Sequence, residues 1–327
     1  MKTPEPQLGI VAIGRNEGDR LKRCILSLPG DTPVVYVDSG STDGTPRWVR
    51  DQGILVVDLD MQSGFTAARA RNLGFDRLRE IAPSIKYVQF LDGDCELIDS
   101  WLPAAISFLE SHPKVGAVFG RRRERYPHRS VYNWLCDLEW STPIGVSKAF
   151  GGDVLLRSPA FEAVGGYCDG LVAGEDPELA LRLRAAHWEL FRLDLEMTLH
   201  DAALIRFGQW WWRNVRSGYA FALGAALHGQ PPERHWVWES RRAWIWGVIV
   251  PFVCVTFGVM FGAAGLLSWL VYPFQVLRQA FRARGSLSDR LVIAFFQVLS
   301  RFPEGWGQIK YLFDRTLNRR ARIIEYK

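Results

Sequence analysis

Short apolar runs alternate with polar segments of helical spacing along the first 120 residues. Apolar runs rich in β-branched residues lie near residues 8–13, 34–38, 54–57, 86–91 and 115–119. The spacing of apolar positions between these runs predicts helices near residues 17–28, 45–52, 65–80 and 99–111. This order of strands and helices predicts an α/β fold, with a mainly parallel sheet flanked by helices.

The pattern changes near residue 121. The sequence GRRRERYPHRS, residues 120–130, predicts a basic, turn-rich loop. Glycine-rich turns follow, then a helix that begins near Asp176 and a short strand at residues 196–200. An aromatic and basic helix is predicted for residues 207–227. We therefore expect a structurally different region after the alternating series.

Residues 243–277 form an uncharged run of 35 residues between Arg242 and Arg278. A membrane-spanning helix needs about 20 apolar residues, so the run is long for one span and short for two spans with a turn. Pro251 and Pro273 can each break a helix, which leaves a tilted span and a re-entrant hairpin as alternatives. A buried helical hairpin of a soluble fold is the third alternative.

Aromatic residues and charges around this run favour a membrane. Trp and Tyr prefer membrane interfaces, and they lie near both ends of the run, at Trp244, Trp246, Trp269 and Tyr272. Arginines flank the run on both sides, at Arg241, Arg242, Arg278, Arg282 and Arg284. Because basic flanks favour the cytoplasmic side, we expect a cell-membrane protein whose N-terminal domain lies on the cytoplasmic face.

Charge is distributed unevenly along the chain. Residues 1–200 carry 23 Lys and Arg against 28 Asp and Glu, whereas residues 201–327 carry 17 against 7. A basic C-terminal region suits an anionic partner, either membrane phospholipid or nucleic acid, and the uncharged run favours phospholipid over nucleic acid. The five cysteines form no CxxC pair, which suits a reduced compartment, and the N-terminus has no signal-peptide pattern, so we expect no secretion.

Acidic residues follow two of the predicted strands. Asp92 and Asp94 come directly after the run at 86–91, and Asp38 ends the run at 34–38. The carboxyl ends of parallel strands form the ligand-binding edge of such sheets. Asp38 alone is also consistent with a helix N-cap. Clustered carboxylates repel one another unless a cation or hydrogen-bond donors lie among them, and oxygen ligands suit Mg²⁺ or Mn²⁺ that bridges phosphates.

Further motifs complete a recognisable series. In chain order they are Ile13-Gly14-Arg15-Asn16-Glu17, Asp38-Ser39-Gly40-Ser41-Thr42-Asp43-Gly44-Thr45, Ala67-Ala68-Arg69-Ala70-Arg71-Asn72, Asp92-Gly93-Asp94, Gly174-Glu175-Asp176 and His200-Asp201. With these motifs the sequence resembles the family 2 glycosyltransferases, inverting enzymes of the GT-A fold that use nucleotide sugars. The resemblance covers residues 8 to about 220.

The resemblance implies roles for the matched positions. Asp38 would accept a hydrogen bond from the uracil of a UDP-sugar, Arg71 would lie near the nucleotide, and Asp92 would lie near the ribose or donor sugar. Asp94 would bind Mn²⁺ or Mg²⁺, with His200 as a further ligand. The implied nucleotide-sugar site comprises Ile13, Arg15, Asn16, Glu17, Asp38, Ser39, Asp43, Arg71, Asp92 and Gly93.

Several of these residues have structural alternatives. Arg69 and Arg71 are also consistent with a solvated helix face, and Asn72 with a local cap. His200 is also consistent with a structural or solvated histidine. For the tryptophans at 210–212, carbohydrate stacking and a helix at a membrane interface both remain open, because arginines are interleaved with them.

The resemblance also implies the acceptor side of the site. Gly151 and Gly152 would form its floor, Glu175 would contact sugar hydroxyls, and Asp176 would be the general base. Asp176 followed by Pro177 is equally a good helix start. The implied domains are a nucleotide-sugar half at 1–120, an acceptor half at 121–230, and a membrane-associated helical region with a basic amphipathic tail at 231–327.

The expected function is transfer of one sugar per encounter to a hydroxyl of a glycan or lipid-linked glycan. Transfer to polyprenyl phosphate is an alternative, since that acceptor is already an anion and needs no base. A non-enzymatic nucleic-acid-binding protein is a remote alternative. A processive synthase is not expected, because residues 209–213, QWWWR, depart from the Gln-x-x-Arg-Trp motif of such enzymes. The sequence leaves UDP, GDP and dTDP open.

Overall fold

The computed structural model describes residues 7–62, 64–319 and 324, and the chain folds into two compact units, Met1–Ile205 and Arg206–Lys327. The end of the expected basic tail, residues 320–323 and 325–327, lies outside the described residues. The expected division of function at residues 120 and 230 stays a prediction, and the boundary between the structural units lies at residue 205.

Nine strands form one sheet among the described residues of the first unit. They are β1 (Leu8–Gly14), β2 (Val34–Asp38), β3 (Leu55–Asp58), β4 (Tyr87–Asp92), β5 (Cys95–Leu97), β6 (Val115–Glu124), β7 (Gly145–Val146), β8 (Val154–Arg157) and β9 (Glu189–His200). The strand order is β3-β2-β1-β4-β8-β6-β9-β5, with β7 paired to β9.

The sheet is parallel in its N-terminal half and mixed beyond it. Strands β1 to β4 pair in parallel, as do β6 and β9, whereas β8 is antiparallel to both of its neighbours. β5 and β7 are antiparallel to β9. The α/β sheet flanked by helices is confirmed. It is less parallel than expected, because after residue 120 the chain no longer alternates strand with helix.

Seven α-helices accompany the sheet in the described part of this unit. They are α1 (Asp19–Leu26), α2 (Thr45–Asp51), α3 (Ala67–Ile81), α4 (Trp101–Ser111), α5 (Val131–Glu139), α6 (Ser158–Ala163) and α7 (Glu175–Ala185). The central strands are buried on both faces, as a sheet covered by helices requires. Trp101 of α4 is fully buried in this core, and its indole N–H donates to Gln89 on β4, so a buried polar pair is satisfied.

The predicted basic loop at 120–130 is wrong for its first half. Strand β6 continues to Glu124, because its arginines find acidic partners instead of water. Arg122 pairs with Asp153, and Arg121 pairs with Asp137. The predicted short strand at 196–200 is the end of the twelve-residue β9, which runs parallel to this extension.

The second unit is helical in its described residues. Its helices are α8 (Phe207–His228), α9 (Val237–Trp244), α10 (Val250–Phe261), α11 (Ala263–Leu266), α12 (Val271–Arg282), α13 (Leu287–Leu299) and α14 (Arg301–Thr316). A π-helical turn, Ile245–Ile249, joins α9 to α10, so one helix of 25 residues runs from Val237 to Phe261. This helix is long and apolar enough to cross a membrane, and only 6% of its most apolar window is buried.

Candidate functional site

The carboxyl ends of β1, β2 and β4 lie side by side. Ile13 is in register with Val37 on one side and with Asp92 on the other, and Gly14 is in register with Asp38. The strand-end acids that the sequence pattern singled out are therefore neighbours on one edge of the sheet. The backbone N–H of Gly93 donates to the carbonyl of Ile13 at 2.7 Å, which holds the turn after β4 against β1.

The loops after β1 and β2 bind each other. Asn16 has a left-handed backbone (φ 54°), its N–H donates to the Ser41 hydroxyl at 2.9 Å, and its side-chain oxygen accepts from the N–H of Thr42 at 2.7 Å. Asp43 accepts from the N–H of Gly18 at 3.0 Å. These contacts make a defined rim at the edge where the resemblance expects the nucleotide base.

Asp38 is buried and its carboxylate is fully engaged. One oxygen accepts from the hydroxyls of Tyr36 and Ser41, at 3.1 and 2.5 Å. The other accepts from the backbone N–H groups of Gly40 and Ser41, at 3.0 and 2.8 Å. A carboxylate has about four acceptor positions, so Asp38 organises the turn after β2, and a bond to a nucleobase would have to replace one of these donors.

Other members of the predicted nucleotide set line the same edge in different ways. Ser39 is buried and donates its N–H to the Gly14 carbonyl at 3.0 Å. Arg15 lies over the ring of Phe65 at 4.6 Å, and Glu17 pairs with Arg20 at 2.8 Å. The structure brings these residues to one edge of the sheet, and their roles in binding stay a prediction.

Arg71 joins the acids of β4 to the first turn of α7. Its guanidinium is buried and contacts Asp92 at 2.8 Å, Glu175 at 3.2 Å and Asp176 at 3.1 Å. The solvated alternative for Arg71 is therefore wrong. Asn72 is not a local cap either, since its side chain bonds the backbone of Tyr167 and the carboxylate of Asp169.

A second arginine, which sequence reasoning missed, completes this cluster. Arg122 of β6 contacts the other oxygen of Asp92 at 2.8 Å and the buried Asp153 at 2.8 Å. Asp153 also accepts from the backbone N–H of Asp92 and from the Thr198 hydroxyl. The signal that could have found Arg122 is the run of arginines at residues 121–123, which lies in a segment whose sequence predicts a loop.

Asp92, Glu175 and Asp176 all contact Arg71, but the pKa values of Asp92 and Asp176 shift in opposite directions. Burial would raise the pKa of Asp92, but Arg71 and Arg122 together lower it to about 2. Asp176 has no second arginine in contact, so burial, opposed by Arg71 and assisted by the charge of Glu175, raises its pKa to about 7. The geometry therefore separates a permanently ionised acid from one that exchanges a proton near neutral pH.

Asp94 and His200 meet on the same edge. Nε2 of His200 lies 3.2 Å from an oxygen of Asp94, and both side chains are buried. Nδ1 of His200 faces the buried carboxylate of Glu124 at 3.6 Å. A neutral imidazole donates from one nitrogen only, so if Nδ1 carries the proton, Nε2 turns a lone pair toward Asp94. A cation between Nε2 and the carboxylate satisfies both, so this pair fits a divalent metal.

Cys95 is the third potential ligand at this position. Its sulfur, an Asp94 oxygen and a His200 nitrogen all lie within 4.8 Å of one another. Burial raises the pKa of the Cys95 thiol, and a protonated thiol is a poor ligand for Mg²⁺ or Mn²⁺. The donor set that fits a hard cation is therefore the carboxylate and the imidazole.

Gly152 is fixed by the cluster, whereas Gly151 is not. A Cβ atom on Gly152 would lie 2.5 Å from an Asp92 oxygen and 2.6 Å from the Arg71 guanidinium, so no larger residue fits there. Gly151 faces open space. Trp140, which the sequence did not single out, places its ring edge against His200, with centroids 4.5 Å apart.

Comparison with known proteins agrees with this geometry. The model of glycosyl transferase family 2 matches residues 10–150. Glycosyltransferase AglE of Haloferax volcanii is 26% identical over 208 residues, which cover 58% of this chain and 65% of that protein. The structure of mannosyltransferase PcManGT from Pyrobaculum calidifontis, in complex with GDP-Man and Mn²⁺, superposes with a TM-score of 0.60 at 18% identity, covering 96% of this chain and 89% of that one. The expected GT-A fold is thereby confirmed.

Proposed function

We propose that the protein transfers a sugar, with inversion, from a nucleotide sugar to a hydroxyl of a glycan or lipid-linked glycan, and the match of residues 10–150 to the model of glycosyl transferase family 2 supports this. One observation carries this proposal. Arg71 contacts Asp92, Glu175 and Asp176. Asp94, two residues after Asp92 in the chain, lies beside His200. The acids proposed for the donor side and those proposed for the acceptor side thus lie around one arginine.

The donor is proposed to be UDP-linked, on the basis of the motif after β2. The loops after β1 and β2 would receive the nucleotide, and Asp92 with Gly93 would lie against its ribose or sugar. The solved mannosyltransferase carries GDP-Man, so an assay should offer both nucleotides. The carboxylate of Asp38 is engaged by four donors, one of them the Ser41 hydroxyl, which also accepts from the N–H of Asn16, so Asp38 would act by shaping the rim around the base.

Asp94 and His200 would hold Mn²⁺ or Mg²⁺. Such an ion, when bound, stabilises the negative charge that develops on a diphosphate leaving group. The protein contributes fixed ligands, since both side chains are buried and held at the ends of β4 and β9. Arg71 and Arg122 keep Asp92 ionised beside this position.

Asp176 would remove the proton from the acceptor hydroxyl. An inverting transfer is a single displacement, so a base must take that proton as the new bond forms. Asp176 contacts one arginine where Asp92 contacts two, so less positive charge offsets its ionised form. Its raised pKa makes it a stronger base than an ordinary aspartate. Glu175 and Gly152 would lie on the acceptor side, with Arg71 fixing the position of both acids.

Glu124 is proposed as the residue that positions His200. Its side chain is fully buried, and one oxygen is already held by the Asn133 amide at 3.1 Å. The other oxygen, held by the N–H of Ala202 at 3.0 Å, faces Nδ1 of His200. At 3.6 Å this contact is longer than a hydrogen bond, and the charge of the carboxylate would favour a proton on Nδ1 and leave Nε2 as a ligand.

Glu124→Gln is expected to weaken Mn²⁺ binding about 10- to 100-fold, since outer carboxylates of this kind tune metal affinity by that much. Binding is measured by calorimetry on the full chain, and the tautomer of His200 by ¹⁵N NMR without metal. The matched control is Glu196→Gln, an exposed acid on β9 that pairs with Arg123. Wild-type metal affinity together with an unchanged tautomer in Glu124→Gln would remove Glu124 from the site.

The second unit is proposed to attach the protein to membrane phospholipid at the cytoplasmic face of the cell membrane. Its 25-residue apolar helix is largely uncovered, and large apolar side chains on it are exposed, including Phe252 at 71% and Val259 at 82%. Exposing this apolar surface to water costs free energy, so a lipid environment suits it better.

The acceptor class decides between this function and transfer to polyprenyl phosphate. Full-length protein is incubated with labelled nucleotide sugar, Mn²⁺ and lipid extract, and the lipid-soluble product is treated with mild acid. A sugar joined to a hydroxyl of a glycan should stay joined to that glycan, because mild acid cleaves a lipid phosphate linkage and not an ordinary glycosidic bond. Release of all the label as the free monosaccharide would identify a sugar phosphate and favour the alternative.

A further inference from the structure

The apolar segment of the second unit is folded back on itself. The helix that begins at Val237 ends at Phe261, and Gly262 has φ 58° and ψ −135°, a conformation that favours glycine. Helix α11 then begins at Ala263, and the chain returns through α12. The hydroxyl of Tyr272 donates to the carbonyl of Trp246 at 2.7 Å, so residues on the two arms meet well away from the turn.

The two arms pack backbone to backbone near the turn. A Cβ atom on Gly265 would lie 1.9 Å from the carbonyl oxygen of Phe257, and one on Gly258 would lie 3.1 Å from Leu266. Small residues therefore allow the close contact, as they do between helices in membranes. The hairpin is a packed structure and not a loose end of a single helix.

The structure brings together aromatic residues that lie at opposite ends of the apolar run in the sequence. In the sequence, Trp246 and Trp269 lie toward opposite ends of the apolar run, which fits a helix that crosses between two interfaces. In the structure, the ring of Tyr272 lies 5.8 Å from Trp269 and 6.2 Å from Trp246, so these residues form one cluster. Since Trp and Tyr mark membrane interfaces, both ends of the run lie at one interface.

The far end of the hairpin lacks the features of an interface. Residues 247–268 contain no charged residue, no Trp and no Tyr. The exposed side chains around the turn are apolar, namely Val259, Met260, Phe261, Leu266 and Leu267. From Trp246 to Gly262 the chain rises about 24 Å as a helix, which is less than the hydrocarbon thickness of about 30 Å.

We propose that residues 237–282 form a re-entrant hairpin that enters and leaves the bilayer at the same face, with Gly262 at its deepest point. This rests on the membrane attachment proposed above and specifies its topology. Arg241 and Arg242 lie in the first turns of the hairpin and Arg278 and Arg282 in its last turns, so the basic residues lie on the side that the aromatic cluster marks. Basic flanks put that side in the cytoplasm.

The topology is tested with single cysteines on either side of the hairpin. Glu233→Cys and Arg284→Cys, both at exposed positions, are placed in a Cys168→Ser background whose other four cysteines are buried. Sealed vesicles of one orientation are treated with a membrane-impermeant maleimide. The hairpin predicts that both positions react from the same side, to the same extent. Reaction of one position from each side would show a spanning helix and overturn the hairpin while leaving membrane attachment intact.

Depth is tested with a fluorescent label at Val259→Cys, compared with Phe281→Cys, which is similarly exposed at 78% but lies beyond the hairpin turn on α12. The label at 259 should emit as in an apolar medium, and lipids that carry a quencher deep in the acyl chain should quench it. The label at 281 should be quenched by lipids that carry the quencher near the headgroup. If the label at 259 emits as it does in water, the hairpin is overturned. Apolar emission that no lipid quencher reduces would also overturn it, because it would show that protein, such as a second copy of the chain, surrounds the label. Recovery of unmodified protein in the soluble fraction without detergent would overturn membrane attachment itself.

Discussion

Asp176→Asn is expected to lower turnover on the order of a hundredfold or more, because a general base contributes about that much. Asparagine keeps the size of the side chain and an oxygen that accepts from Arg71, so the contact at 3.1 Å is retained. Binding of the donor nucleotide should therefore remain close to that of the wild type. The measurement is steady-state turnover together with nucleotide affinity by calorimetry.

The pH profile and stability provide independent readouts of the same residue. Because the pKa of Asp176 is raised to about 7, wild-type turnover should rise with pH through that value, and Asp176→Asn should lose this limb. A raised pKa favours the protonated form in the folded state, so wild-type stability is lost as pH rises from the unfolded value toward 7. The variant has no such loss, and its Tm relative to wild type should be higher at pH 8 than at pH 4.

The matched control is Glu178→Gln, an acid in the same helical turn. Glu178 is buried and paired with Arg182 at 2.7 Å, away from the Arg71 cluster. Its loss should lower Tm while turnover of the folded protein stays close to normal. Near-normal turnover in Asp176→Asn would leave that residue only its structural contact with Arg71, since α7 begins at Glu175 with Gly174 as its N-cap, and would favour polyprenyl phosphate as the acceptor.

Metal removal should abolish transfer, and Asp94→Asn should not recover it at saturating metal. The expected loss is at least about a hundredfold, comparable to the removal of a group that stabilises developing charge. Chelator should inactivate the wild type, and added Mn²⁺ or Mg²⁺ should restore it. Asp99→Asn is the control, because Asp99 lies five residues further along the chain, after β5, and is exposed. Full activity in chelator would mean that Arg71 and Arg122 alone stabilise the leaving group.

Strands β1 to β4, the first half of β6 and the strand-end acids were predictable because they depend on local patterns, whereas β5, β7 and β8 were not predicted. Asp38 and Asp92 follow apolar runs, and the parallel pairing of β1, β2 and β4 brings them to one edge. Asp94, His200, Glu175 and Asp176 came from motif resemblance, and the structure brings them to the same region. What each residue binds stays a prediction.

Long-range pairing explains what the sequence did not predict. Arg122 and Glu124 look like part of a basic loop until Asp153 and His200 are seen beside them. Asp153 lies 31 positions from Arg122 and His200 lies 76 positions from Glu124, a separation that no local pattern encodes. The same holds for the hairpin, where the meeting of Trp246 with Tyr272 depends on a turn at Gly262.

We propose that this protein breaks the bond between a nucleotide diphosphate and a sugar at the edge formed by Asp92, Asp94 and His200. The most direct measurement is nucleotide release by purified full-length protein from a panel of UDP-, GDP- and dTDP-sugars, with Mn²⁺ and lipid extract. We expect release from at least one donor, matched by transfer of its sugar, and we expect this release to be lost in chelator and in Asp94→Asn. No release from any donor, or equal release by wild type and Asp94→Asn, would contradict it.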